Sequence, residues 1–443
     1  MSKGSGDKAD PQGGANLYPS IRYAWFVAIC LQLAYAIALV DRQILALLVQ
    51  PIKASLRLTD TEFSLLAGLA FVLCYSSLGL VFGQVADRHN RRNTIIYGII
   101  VWSLATITCG LTNTFKQLFI ARMLVGVGEA ALNPAAYSLI ADYFPKASRS
   151  RAVAVYSMGS ITGSGAGLIA SAAVLRATSG ADTVHMPILG NLHMWQAVFI
   201  AVGLPGLFVA ALLTLVREPT RKEMTSTTSN RDDLRRFLKR KAGIIALIII
   251  AFALNGVIYY GVGTWTPALF IRKFHWAAAT IGTTLGAIQM VFGTAGILLG
   301  GWWASRPKVA GVDTIVFSTT RNALLSIPFF VLVAGLSPNP MLSISAMAVV
   351  VFSSAIVTGQ SAVALFQVTP NMFRGRVIAA YILTGTFLGL GVGATLIAAI
   401  TDHVFREETA VGASLAVVVT CAALAGALSI HRAMRSKELN LSW

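Results

Sequence analysis

Twelve apolar runs, each long enough to cross a membrane as a helix, follow one another along this chain with polar connections between them. A bilayer's hydrocarbon core takes about 20 consecutive apolar residues per helical span. Within it every backbone N–H and C=O must be bonded inside the protein, and a helix does this by itself. The runs fall at 22–50, 62–86, 94–113, 117–141, 149–174 and 194–216, then at 242–271, 278–303, 314–335, 341–368, 374–400 and 409–431. Only 12% of the residues are charged and 56% are hydrophobic, whereas a soluble domain carries about twice that charged fraction. The pattern predicts an all-α integral membrane protein with twelve transmembrane helices.

The net charge of +17 would suit a nucleic-acid binder if the basic residues formed one patch. They sit instead in the connections. Assigning alternate connections to opposite sides puts 26 of the 35 Lys and Arg on one side and 7 on the other, leaving Arg42 and Arg122 inside runs. Cytoplasmic loops carry the excess of Lys and Arg, so both termini are expected in the cytoplasm. The charge thus reads as orientation, with some attraction to anionic lipid and no nucleic-acid partner. Residues 1–21 are polar and Gly-rich without a cleavage pattern, and are expected to be an N-terminal tail; 432–443 form a C-terminal tail. Compact connections point to a multi-pass protein of a bacterial inner (plasma) membrane. The four cysteines lie in apolar runs and read as free buried thiols.

The runs divide into two sets of six, 22–216 and 242–431, joined by the longest polar stretch, 217–241, which is expected to be a cytoplasmic linker. PKASRSRAVAVY (Pro145–Tyr156) aligns with PNMFRGRVIAAY (Pro370–Tyr381) at a constant offset of 225. Pro145/Pro370, Arg149/Arg374, Arg151/Arg376, Ala154/Ala379 and Tyr156/Tyr381 match, and both copies lie between the fourth and fifth helix of their set. Two pseudo-symmetric six-helix halves follow, with a solute cavity expected between them near the bilayer midplane.

Between the second and third runs stands GQVADRHNRRN (Gly83–Asn93). Gly83 would permit close helix packing, and Asp87 could accept bonds from backbone N–H groups at a helix start. Arg88, Arg91 and Arg92 hold the loop on the basic side. This loop resembles the signature of the major facilitator superfamily, whose fold has twelve helices in two halves. The resemblance implies that the loop latches the halves together as part of a cytoplasmic gate, with Arg149, Arg151, Arg374 and Arg376 at the same level. The equivalent place in the second half, GGWWASRPK (Gly300–Lys308), has Ser305 where the acid would stand and so predicts a weaker latch there.

Asp41 and Arg42 lie well inside the first run, Arg122 and Glu129 well inside the fourth, and no ionisable residue is read in the six spans of the second set. A charge at bilayer depth costs at least ~2.5–3.5 kcal/mol, so these groups should face a polar cavity and pair. Arg122 and Glu129 are two turns apart on one helix face. Counted from their outer helix ends, they lie about 9 and about 20 Å deep, and Asp41 and Arg42 about 15 Å. A desolvated carboxylate beside a guanidinium can exchange a proton, which makes Glu129 the first and Asp41 the second candidate for proton coupling. Arg42 and Arg122 would hold those acids or receive an anionic solute. The alternative is that all four merely fix helix registry.

VDRQILALLV (Val40–Val49), DRHNRR with Asn90 where most superfamily members have glycine, and GVGEAA (Gly126–Ala131) after Arg122 together resemble the Spinster branch. That resemblance implies transport of sphingoid or lysophospholipid-like solutes with protons as coupling ion; the superfamily resemblance implies a monomer, and no cofactor signature is read. The expected function is a secondary active transporter moving an amphiphilic or organic-anion solute by alternating access. An uncoupled facilitator or a multidrug-type exporter is the alternative within transport. A lipid-modifying membrane enzyme would need a polar catalytic cluster near an interface, and none is read.

GSITGSGAG (Gly159–Gly167) and GLGVGA (Gly389–Ala394) lie within spans without a preceding strand, so they read as small-residue helix packing and not as nucleotide loops. Asn255, Tyr259, Gln289 and Gln360 are candidate polar cavity groups, each with an interhelical hydrogen bond as its other reading. Pro267 could break the seventh helix near its outer end. No two of the six histidines show metal spacing on one helix.

Overall fold

The computed structural model describes residues 18–177, 183–186, 190–221, 231–304, 314–370 and 373–436. Twelve long helices run back and forth: α1 (Ile21–Leu47), α2 (60–88), α3 (Arg91–Cys109), α4 (Phe115–Tyr143), α5 (Lys146–Ala177) and α6 (Met194–Leu213), then α7 (Arg231–Phe274), α8 (Ala278–Ala304), α9 (Thr314–Leu336), α10 (Pro340–Val368), α11 (Arg374–Phe405) and α12 (Val411–Arg435). Eleven are long and apolar enough to cross a membrane by length and composition. The other, α3, spends its first turn on Arg91, Arg92 and Asn93, which leaves a shorter apolar stretch. Its inner face still packs against α4 and α6. We call the end where the 217–231 segment joins the halves the linker end, and the opposite one the distal end.

Polar residues placed at run edges start the helices. Thr59 and Glu62 form a reciprocal capping box at α2, with bonds of 3.1 and 2.9 Å. Asn90 caps α3 by accepting from the Asn93 N–H at 2.9 Å. Thr114 does the same for α4 and Asn339 for α10, where Pro340 occupies the first turn. Pro267 does not break α7, which continues through it to Phe274. A short helix, Val49–Leu56, follows α1 after a break at Leu48. The one strand pair among the described residues is β1 (Thr183–Met186) with β2 (Gly190–His193), antiparallel, in the connection before α6.

Each half packs by one scheme. In the first, α1 lies on α5, α3 on α4 and α6, and α2 on α4; in the second, α7 lies on α11, α9 on α10 and α12, and α8 on α10. The halves meet through α5 against α8, α2 against α11, and α1 against α7. The repeat residues carry the same bond in both halves. Arg149 donates to the Ala141 carbonyl at 2.7 Å and Arg374 to the Phe366 carbonyl at 3.2 Å, each eight residues back. Both guanidinium groups cap the C-terminal turn of the preceding helix, where unbonded carbonyls favour a cation.

The glycine-rich segments are packing surfaces. In α5, a Cβ at Gly163 would lie 2.4 Å from the Ala36 carbonyl oxygen of α1, and one at Gly165 would lie 3.0 Å from the Gly286 carbonyl oxygen of α8. In α11, Gly389 lies against Gly256 of α7. The helices depart from α-geometry in π-turns at Leu65–Leu69, Gln289–Gly293, Phe387–Gly393 and Ile400–Phe405. The first and third of these touch each other across the halves, where a Cβ at Gly68 would lie 2.0 Å from the Leu390 carbonyl oxygen. Cys30 and Cys109 are buried, but Cys421 is exposed on α12, contrary to the reading of four buried thiols.

Candidate functional site

The halves are spread at the linker end and shut at the distal end. A Cβ added at Gly79, Gly83 or Gly375 would meet nothing within 4 Å, whereas Gly68, Gly165 and Gly286 touch the opposite half. Between the halves lies a cavity of about 620 Å³, reaching from Arg42 to the first turn of α11 at Gly375. Its wall is mostly apolar and aromatic, with Tyr35, Tyr75, Tyr137, Tyr259, Tyr260 and Tyr381 on it. Arg42 is the one charged residue on that wall among the described residues.

Behind Arg42 the four deep charges pair crosswise between α1 and α4. Arg42 donates through Nε and Nη2 to Glu129 Oε2 at 2.8 and 2.5 Å. Arg122 Nη1 lies 3.7 Å from Asp41 Oδ2, which also accepts from Thr106 Oγ1 at 2.9 Å. The Arg42 guanidinium stacks 4.5 Å from the Phe71 ring centroid and 4.7 Å from that of Tyr75. Only Arg42 reaches the cavity, with 12% of its side chain exposed against 1% for Glu129. The cluster is incompletely bonded: Asp41 Oδ1, Arg122 Nε and Nη1, and Glu129 Oε1 are buried without a hydrogen-bond partner.

The other candidates separate. Tyr259 and Gln289 line the cavity and bond to each other at 3.3 Å across α7 and α8. Asn255 lines it too, but its amide is held by Ser354 and Thr358 of α10. Gln360 is off the wall: it is fully buried and bonded to Thr319 and Thr320 of α9, so the interhelical reading holds for it. Arg321 of α9 lies seven residues inside a second-half span, contrary to the expectation that the spans of that half hold no ionisable group. It is partly exposed, bonds to the neighbouring Asn322 and does not line the cavity.

The signature loop is pinned to its own half. Arg91, buried, pairs with Asp142 and with Glu218, the latter at 2.7 Å, and Arg92 donates to the Val216 carbonyl at 3.0 Å. Arg221 donates to the Ala86, Asp87 and His89 carbonyls, closing the end of α2. Arg88 and the Asp87 side chain are exposed, and the Asp87 carboxylate accepts no backbone N–H among the described residues. Gly83, expected at a tight helix contact, faces open space because the halves are apart there. Arg151 and Arg376 are exposed at the same end. Ser305 and the second-half loop lie outside the described residues.

A second charge cluster, not anticipated from sequence, seals the distal end. Asp60 at the start of α2 is fully buried; it accepts from Arg272 Nη1 and Nη2 of α7 at 2.6 Å each and from Lys53. Lys53 also donates to Glu408 at 2.9 Å, and Arg272 Nε lies 3.5 Å from the same carboxylate. Asp402 at the end of α11 accepts from the N–H and hydroxyl of Thr61, both at 2.7 Å, capping a helix of the other half. These residues stand at helix ends, 212 and 341 positions apart in the principal pairs.

Two pseudo-symmetric helix bundles, a cavity between them open at one end, and ion pairs shutting the other define a membrane transporter and not an enzyme. The chain belongs to the Major Facilitator Superfamily, whose sequence profile matches residues 31–394. Within it, the similarity runs to Spinster proteins. Protein spinster homolog 1 of Bos taurus is 32% identical over 213 residues, which span 46% of this chain and 38% of the cow protein's own length. An MFS-type efflux pump of Mycolicibacterium smegmatis is 24% identical over 70% of this chain and 69% of that protein. A bacterial homolog of the human lysosomal transporter Spinster, solved in an inward-facing and occupied conformation, superposes with a TM-score of 0.80. It is 22% identical, and the match covers 96% of this chain and all of that one.

Proposed function

We propose that this transporter moves an amphiphilic or organic-anion solute, of the lysolipid or sphingoid kind, with proton coupling through Glu129. The observation that carries this reading is a single charged group among the described residues, Arg42, on a mostly apolar and aromatic wall, balanced by a carboxylate buried directly behind it. An apolar body would lie along the cavity with its anionic group against Arg42. That group and Glu129 would then compete for one guanidinium. A buried carboxylate that loses its cation takes up a proton rather than remain charged and unpaired. Proton binding at Glu129 and solute binding at Arg42 would thereby favour one another. Asp41, held by Thr106 and Arg122, would be the second proton site or the group that fixes Arg122. Tyr259, Asn255 and Gln289 would form the polar part of the opposite wall.

The excess of basic residues near the linker end supports placing that end, with both termini, in the cytoplasm of a bacterial inner-membrane protein. The conformation would then be inward-open, and the signature loop with Gly83, Asp87 and Arg88 would engage the other half only when the linker end shuts. The transporter would work as a monomer. The test is proton movement in proteoliposomes holding a pH dye, challenged with lysophospholipids, sphingoid bases, sugar acids and cationic drugs. A solute-dependent signal that Glu129→Gln abolishes is expected. Solute uptake without any proton signal would establish an uncoupled facilitator instead.

A further inference from the structure

Beside Arg42, three elements meet in a chain of side-chain bonds. Tyr156 of α5 donates to Asn133 Oδ1 at 2.5 Å, and Asn133 Nδ2 of α4 donates to the Tyr75 hydroxyl of α2 at 3.0 Å. Asn133 stands one turn beyond Glu129 on the same helix, and the Tyr75 ring lies under the Arg42 guanidinium. Tyr156 is fixed in turn by stacking on Tyr35, with centroids 5.1 Å apart. The chain therefore has a direction. Tyr156 spends its proton on the Asn133 carbonyl, and Asn133 spends one amide hydrogen on Tyr75.

Counting hydrogens along the chain leaves donors with nothing to meet. The Tyr75 oxygen accepts from Asn133, and its own O–H has no acceptor among the described residues. Asn133 has a second amide hydrogen, and Arg42 uses Nε and Nη2 on Glu129 but leaves Nη1 unengaged. All three side chains line the cavity, and no carboxylate does among the described residues. We infer that Arg42 Nη1, the Tyr75 hydroxyl and the Asn133 amide form a donor-only head-group subsite that selects an oxyanion with three terminal oxygens over a carboxylate. The inference rests on the proposed reading that an anionic group docks at Arg42. Once the solute has displaced Glu129, Arg42 alone can hold the two oxygens of a carboxylate bidentately; a third oxygen would meet the Tyr75 hydroxyl and the Asn133 amide. Tyr75 and Asn133 are thus specificity-determining residues, distinct from the pair that handles the proton.

The experiment measures binding of dodecyl phosphate, dodecanoate and dodecanol to the full chain in lipid nanodiscs, for wild type, Tyr75→Phe, Asn133→Ala and Arg42→Gln. Tyr75→Phe removes the hydroxyl, and with it the acceptor that holds the Asn133 amide, while keeping the ring under Arg42. Each of Tyr75→Phe and Asn133→Ala should weaken dodecyl phosphate about tenfold and dodecanoate less than about threefold, as loss of one bond to a charged group predicts. Arg42→Gln should weaken both anions and leave dodecanol unchanged. If Arg42→Gln weakens both anions while Tyr75→Phe and Asn133→Ala leave their ratio unaltered, the subsite is wrong and the Arg42 reading stands. If Arg42→Gln binds both anions like wild type, the Arg42 reading fails and the subsite with it.

Discussion

Two buried charge clusters lie along the axis of this molecule, and they are built to opposite rules. The distal cluster joins the two halves, with Asp60 taking both oxygens to Arg272 and one also to Lys53. The central cluster lies wholly within the first half, and four of its buried polar atoms have no hydrogen-bond partner. One Arg122–Asp41 contact is 3.7 Å, beyond hydrogen-bond length. Saturated bonding suits a lock, because every partner lost on opening must be replaced by water. Incomplete bonding suits a site that exchanges partners, because its groups have spare capacity for a proton or an anion. Satisfaction of the ion pairs, more than their burial, separates holding from switching here.

The largest effect should come from breaking the lock. Asp60→Ala leaves Arg272 and Lys53 buried with the half-exposed Glu408 as the one carboxylate between them among the described residues. Removing one partner of a buried pair costs about 3–5 kcal/mol, so the shut distal end should open. A cysteine placed at Leu47 should become reactive to a membrane-impermeant thiol reagent added from the distal side. Unchanged protection there would show that helix packing alone holds the end closed.

Gly68→Ala attacks the same closure without touching a charge. Its Cβ would fall 2.0 Å from a backbone oxygen of α11, and overpacking of this kind costs about 1–3 kcal/mol. The same cysteine assay should report partial opening, less than for Asp60→Ala.

Glu129→Gln tests the other cluster. It keeps the shape and one acceptor for Arg42 but removes the countercharge, so stability should fall by about 1.5–3 kcal/mol, less than for Asp60→Ala. Uphill solute accumulation should nevertheless disappear. A stability loss as large as that of Asp60→Ala would make the central cluster a lock as well and would erase the distinction. The smallest effect is expected at Gly83→Ala, where the added methyl meets open space. Stability in this conformation should stay within about 0.5 kcal/mol, while a slower transport cycle would place Gly83 at a contact made when the linker end shuts.

Much of the fold was legible in the sequence because its causes are local. A bilayer span is a matter of run length and hydropathy, which act between neighbours in the chain. The repeat was legible too: the offset between Arg149 and Arg374 reappears as the same eight-residue bond to the preceding helix. Depth along a helix also follows from counting, which is why α1 and α4 could be expected to bring Asp41, Arg42, Arg122 and Glu129 to one level.

What counting could not supply is rotation about each helix and the tilt of one half on the other. Those decide that Arg42 takes Glu129 while Arg122 takes Asp41, and that Gln360 turns towards α9 and away from the cavity. They also decide that Lys53, Asp60, Arg272 and Glu408, each an ordinary end-of-helix charge in the sequence, meet in one cluster. Hydropathy is a property of neighbours in the chain, so the sequence by itself determined the twelve spans, the two halves and which charges lie deep. Partner choice is a property of neighbours in space, so only the tertiary structure decided which of those charges hold the molecule shut and which are free to exchange.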